Sequence, residues 1–247
     1  MRKVPALRPS FERLAGRIAA GEGTIQRGVG RGLRFHADVN VAGYRLGTTE
    51  PEFQDALASR IRAGMVVYDL GANVGFYAVL SARLVGRTGR VVAVEPFPAS
   101  AETVRHNARL NGFDIDVLEA AIGGEGGTAW LRTDQGGPVT HRLDLEGAGD
   151  GLEVAVTTVD ALVADGHPPP DLIKVDVEGA ESAALRGMAE TLRAHRPAVL
   201  VEVHHAVRDF PDVLEAVVAP LGYRVSVLEG GPVPSGGVRA HVLLDPE

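Results

Sequence analysis

The sequence predicts a doubly wound α/β domain built on a mostly parallel sheet, and three observations lead there. From Met65 onward, short β-branched runs alternate with stretches of helical spacing, the pattern of repeated βαβ units. The first of these runs are apolar throughout, as strands covered by helices on both faces must be. A glycine-rich turn, Asp69-Leu70-Gly71-Ala72-Asn73-Val74-Gly75, joins the first run to the first helical stretch. That is the edge at which α/β sheets bind ligands.

The elements follow in order. Strands are expected at Met65–Leu70, Arg90–Glu95, Ile115–Ala120, Leu172–Val177, Ala198–Val203, Tyr223–Leu228 and Val238–Leu243. Helices are expected at Gly75–Val85, Ala99–Leu110, Ala180–His195 and Pro211–Ala219. One interval breaks the alternation. Residues 123–153 carry three glycine clusters and read as a flexible excursion between the third and fourth main strands, with short strands expected at Thr128–Arg132 and Val154–Thr158. Residues 1–50 read as an N-terminal extension packed on a core of residues 51–247. Its parts are a helix, marked by Leu7, Phe11, Leu14 and Ile18, and a hairpin around Leu33–Leu46; a helix over Pro51–Arg62 follows.

Composition narrows the class. The chain has 247 residues, 45% hydrophobic and 23% charged, the balance of one globular domain. There is no cysteine, which excludes disulfides, thiolate metal sites and a cysteine nucleophile. The net charge is −7 with no basic cluster, so a nucleic-acid partner is disfavoured. No run approaches the roughly 18 apolar residues of a membrane span, and no secretory h-region opens the chain. No membrane partner and a cytoplasmic location are therefore expected. Homo-oligomerisation is left open. Only Lys3 and Lys174 are lysines among 25 basic residues; this arginine bias, with abundant Ala, Gly and Val, points to a GC-rich bacterial genome.

Two constellations carry chemistry. In the first, glycine lets the turn after Asp69 approach a ligand closely, and Glu95 ends the next strand, placed to accept both hydroxyls of a ribose. A dinucleotide site would require Gly-x-Gly-x-x-Gly for its pyrophosphate. Here Asn73 takes the middle glycine's place and Gly75 follows two residues later. S-adenosylmethionine has no phosphate and needs an acid near its amino group, room for its methionine tail and a ribose acceptor. Asp69, Gly71, Asn73 and Glu95 suit it, with NAD the weaker alternative.

In the second, Asp176 and Glu178 stand two apart at a strand end, as do Glu202 and His204, so each pair shares a face. If the strands are neighbours, all four converge at the ligand-binding edge. Glu178 and Glu181 also fit the first turn of a helix, where the macrodipole favours acids. Lys174 shares a face with Asp176 and reads first as its ion-pair partner.

These segments resemble the FkbM family of methyltransferases. The likeness is carried by Glu50-Pro51, Asp69–Tyr77, Glu95-Pro96, Asn107 with Leu110-Asn111, Thr158-Val159-Asp160, Asp171–Glu181, Arg196-Pro197 and Glu202-Val203-His204. The string Lys174-Val175-Asp176-Val177-Glu178-Gly179-Ala180-Glu181 is its most specific part. The resemblance implies a Rossmann-like seven-stranded sheet of the class I methyltransferase type, with an antiparallel last strand. It implies a cofactor site drawn from Glu50, Asp69, Gly71, Asn73, Gly75, Glu95, Pro96, Phe97, Ala121 and Asp176, with Glu95 on the ribose and the Glu119–Ala121 stretch beside the adenine. It also implies methylation, usually of a hydroxyl on a small molecule, sugar or natural product, yielding S-adenosylhomocysteine; N-methylation is the alternative. The cofactor's methyl group is already electrophilic, so positioning supplies much of the rate. A hydroxyl acceptor must still lose its proton, for which His204 or Asp176, beside Glu202, would serve. A metal-free site is expected first, with an ion held by Asp176, Glu202 and His204 as the alternative.

Overall fold

The computed structural model describes residues 21–37, 42–133, 141–144 and 151–247. The proposed helix over residues 7–18 lies outside them.

A short antiparallel pair comes first, β1 (Gly21–Thr24) with β2 (Arg34–Ala37). The hairpin expected around Leu33–Leu46 is thus displaced. Gly28 and Gly32 adopt positive φ and turn the chain before Arg34, so its partner strand lies upstream. Helix α1 (Ala42–Leu46) occupies the expected second arm. Helix α2 (Pro51–Arg60) follows, then β3 (Val66–Leu70), α3 (Phe76–Val85), β4 (Arg90–Val94), α4 (Pro98–Asn111) and β5 (Asp116–Leu118). The FkbM-type residues Asn107 and Asn111 act here as backbone mimics. Their side-chain amides accept from His36 N at 2.7 Å and Arg34 N at 2.9 Å, and donate back to the same residues' carbonyls. Strand β2 is thereby fastened to α4.

The later elements are β6 (Ala121–Ile122), β7 (Gly127–Thr133), β8 (His141–Asp144), β9 (Leu152–Thr157), α5 (Val159–Ala164), β10 (Leu172–Val175), α6 (Glu181–Arg186), α7 (Ala189–His195), β11 (Ala198–Val203), α8 (Phe210–Val213), β12 (Tyr223–Val227) and β13 (Ala240–Pro246). The main sheet has seven strands in the order β12-β13-β11-β10-β3-β4-β5, parallel except β13, which runs antiparallel to both neighbours. Alternate strand residues feed two cores. Tyr68, Leu70, Ile173, Val175, Val199 and Val201 face one side, and Val67, Leu172, Leu200 and Leu243 face the other.

Three expectations are corrected. The excursion is an ordered second sheet over its described residues, in the order β6-β9-β7-β8. Ala121, Ala129, Leu131, Val154 and Val156 alternate inward to form a third core, and the short strands expected at Thr128–Arg132 and Val154–Thr158 are β7 and β9. The single helix expected over Ala180–His195 is broken at Gly187. A Cβ there would lie 2.2 Å from the Gly123 carbonyl oxygen, so only glycine lets the two segments pass. Asp160 then serves as a cap in trans, accepting from Thr191 N at 2.7 Å and Glu190 N at 3.1 Å to satisfy amides at the start of α7. Beyond α8, the helix expected to Ala219 changes pitch to a π turn over Leu214–Val218 and a 3-10 turn to Leu221.

Candidate active site

At the carboxyl end of the parallel strands, one face of the sheet changes character. The positions that alternation assigns to the α3 side become polar: Asp69 on β3, Lys174 on β10, Glu202 on β11 and His241 on β13. Register brings them together, because Lys174 pairs with Asp69 and Glu202 with His241, and paired residues share a face.

Lys174 is buried and lies 3.0 Å from Asp69 and 3.4 Å from Asp176. Its ammonium also donates to the Gly71 carbonyl at 2.8 Å. Burial opposes its charge, but Asp69 and Asp176 outweigh that and hold its pKa above the ordinary value. The ion pair expected with Asp176 thus extends to Asp69. Asp69 sits 1% exposed beneath the glycine turn, paired with Lys174. Gly71 (φ 73°) faces the same contact, since a Cβ there would lie 1.8 Å from the Asp176 carbonyl oxygen. Gly75 (φ 85°) starts α3 against Val104.

A cleft of about 560 Å³, its open mouth included, lies over this edge. Gly71, Asn73, Glu95 and Pro96 line one side, Ala121, Ile122 and Leu131 of the second sheet line another, and Asp176 and Glu178 close the end. Glu95 is 5% exposed, and its two oxygens accept from Asn73 N at 2.8 Å and Phe97 N at 2.9 Å. Burial raises its pKa, against the pull of those two amides. Each carboxylate oxygen keeps a second lone pair, so the amides orient the group and leave it able to accept from a vicinal diol. Phe97 contributes this amide and packs its ring on the third core.

Beyond Asp176 is a cluster of acids and imidazoles. His204 Nδ1 lies 2.7 Å from the fully buried Glu181, and its Nε2 faces Glu178 at 3.2 Å, Glu202 at 3.3 Å and Asp176 at 3.8 Å. Burial works against a charged imidazole, but Glu181, Glu178 and Asp176 overcome it and raise His204 to about 9. Burial lifts Asp176 to about 7, with Lys174 opposing and Glu202 adding. Glu178 is not in the helix, as expected from sequence, but in the loop before it, with φ 49°. Among the described residues, the non-glycine positions with left-handed φ are Glu50, Asn73, Glu178 and Arg196; the first three ring this edge, where such backbone strain commonly collects.

Sequence reasoning missed Arg239, His241 and Glu229. Arg239 bridges Glu202 and Glu50, while Tyr77 donates to Glu50 at 2.8 Å. Glu50 therefore belongs to the cluster rather than the cleft lining. His241 Nδ1 is held by Glu229. The pairing of β13 against β11 is the signal that finds these residues, and it is visible only in the fold.

With this geometry in view, the comparisons fall into place. Residues 69–225 match the Methyltransferase FkbM domain, and the chain belongs to that family. It is 29% identical over 144 residues to the hexuronic acid methyltransferase AglP of Haloferax volcanii, covering 58% of this chain and 57% of that protein. A shorter stretch of 53 residues, 22% of this chain and 24% of the relative, is 40% identical to protein-L-isoaspartate O-methyltransferase of Methanopyrus kandleri. The chain thus spans little more than half of the first relative and about a quarter of the second. The FkbM methyltransferase structure from Methylobacillus flagellatus shares the fold, with a TM-score of 0.55, 18% identity, and coverage of 83% of this chain and 53% of that one.

Proposed function

We propose that the chain is an S-adenosylmethionine-dependent O-methyltransferase acting on a hydroxyl of a sugar or related small molecule. The observation that carries the reading is Glu95, a buried carboxylate aimed by two backbone amides into the cleft beside the Gly71–Gly75 turn. Family membership supports methyl transfer, and the hexuronic acid enzyme supports a sugar acceptor.

S-adenosylmethionine supplies a methyl group made electrophilic by its sulfonium. The residues divide the remaining work. Glu95 would accept from the ribose hydroxyls with Asn73 and Pro96 beside it, and Ala121, Ile122 and Leu131 would offer an apolar wall for the base. Lys174 holds the Gly71 carbonyl, and through it the turn, in place. Asp176, Glu202 and His204 would form the polar end of the cleft, with Glu202 and His204 orienting the acceptor hydroxyl and Asp176 taking its proton. Calorimetry with S-adenosylmethionine, S-adenosylhomocysteine and NADH tests the cofactor assignment. Saturable binding of the first two is expected; binding of NADH alone would reject it.

A further inference from the structure

The two histidines of the cluster are built alike. His204 and His241 each engage a carboxylate through Nδ1, Glu181 and Glu229 respectively, and each turns Nε2 toward Glu202, at 3.3 Å and 3.8 Å. A carboxylate behind an imidazole fixes the ring and leaves the far nitrogen as a ligand, the arrangement that recurs around protein-bound metals. His241 is 9% exposed, and among the described residues its buried Nε2 has no hydrogen-bond partner, an expensive state for a polar atom unless something is to be bound. Asp176, Glu202 and His204 each offer one ligand atom within 4.8 Å of the others'. Charge points the same way. Among the described residues, the carboxylates of Glu50, Asp69, Asp176, Glu178, Glu181 and Glu202 outnumber the basic groups facing them, Lys174, Arg239, His204 and His241. Arg239 is 45% exposed and closes the cluster from outside.

We propose that the chain binds one divalent cation of the Mg²⁺/Mn²⁺ class through Asp176, Glu202 and His204, with Glu181 positioning His204 and His241 standing across Glu202 as a reserve donor. Carboxylates with one imidazole suit such ions, which keep several waters for exchange with a substrate oxygen. Resting on the methyl-transfer reading, the ion's task is to hold the acceptor hydroxyl at the end of the cleft and ease loss of its proton. The three residues then act on the acceptor through the ion. This reverses the order of preference drawn from the sequence, where neither Glu181's contact nor His241 was visible.

The test is titration of the EDTA-stripped full chain with Mn²⁺ alone, followed by calorimetry and by the loss of the free Mn²⁺ electron paramagnetic resonance signal. One equivalent is expected to bind, with Mg²⁺ competing. Asp176→Asn and His204→Gln should each weaken binding at least tenfold and Glu181→Gln by roughly tenfold, while the surface control Asp209→Asn should change nothing; circular dichroism reports folding of each variant. Stripped wild-type protein that fails to saturate at millimolar Mn²⁺ would overturn the proposal. So would undiminished binding by folded Asp176→Asn and His204→Gln. Loss confined to His241→Gln would move the ion to the Glu50–Glu202–His241 triad and overturn this ligand set. No cofactor or acceptor is present, so a failed methyl-transfer assay and a failed titration remain separate results.

Discussion

The two halves of the strand-end edge are made differently. The cofactor half, around β3 and β4, is assembled from neighbours in sequence: a turn from 71 to 75, and Glu95 with the amide of Phe97 two residues on. The polar half is assembled from β10, β11, β13 and the loop before α2, with partners as far apart as Glu50 and Arg239. The first half is a local motif that many folds with this topology can share. The second is completed only by the antiparallel β13, which sets His241 beside Glu202, and it is where the proposed acceptor chemistry would lie.

Substitutions on the two sides should therefore separate. The largest expected effect is in the polar half. His204→Ala should lower turnover by roughly 10²- to 10⁴-fold, the range for disabling proton removal from the acceptor, because Asp176 and Glu202 lose the imidazole between them, with S-adenosylhomocysteine affinity nearly unchanged by calorimetry. An equal loss of affinity would erase the division. Next is the joint between the halves. Gly71→Ala forces a Cβ onto the Asp176 carbonyl at a left-handed φ and should cost about 3 kcal/mol or more in urea unfolding. On the cofactor side, Glu95→Ala should weaken S-adenosylhomocysteine binding by roughly 10- to 100-fold, the worth of charge-assisted hydrogen bonds, while leaving Mn²⁺ binding intact.

The legibility of the sequence follows the same division. The Asp69–Gly75 turn and Glu95 could be read because strand alternation and a short spacing fix their places. Asp176, Glu202 and His204 could be read as converging because each pair ends a recognisable strand. Their partners could not. Glu181 is a helix-start acid by position and a buried imidazole partner by structure, and nothing local distinguishes the two. Arg239 and His241 lie in and just before a short strand whose neighbour is chosen by tertiary pairing. The second sheet was half legible: Thr128–Arg132 and Val154–Thr158 could be read as strands and are β7 and β9, but their pairing with each other and with β6 is set by tertiary contacts.

The smallest expected effect concerns the scaffold of the polar half. Arg60 on α2 grips Asp245 on β13 through two hydrogen bonds of 2.9 and 2.7 Å, and the guanidinium holds the Asp245 carboxyl below its ordinary 3.8. A depressed carboxyl contributes stability that is complete above the ordinary value and is lost as pH falls through the lower folded one. Asp245→Asn should thus cost about 1 kcal/mol near neutrality and progressively less toward about pH 3, measured by urea unfolding at both. A cost independent of pH would show that the contact acts by packing and not by charge.

The central claim is methyl transfer from the Glu95 side of the cleft to a hydroxyl at the Asp176 side. Mass spectrometry of a panel of sugar acids and neutral sugars, incubated with S-adenosylmethionine and the chain, tests it most directly. A one-methyl gain on a sugar oxygen is expected with wild-type protein, and a strongly reduced one with Glu95→Ala and with Asp176→Asn. A gain that persists undiminished in both variants would contradict it.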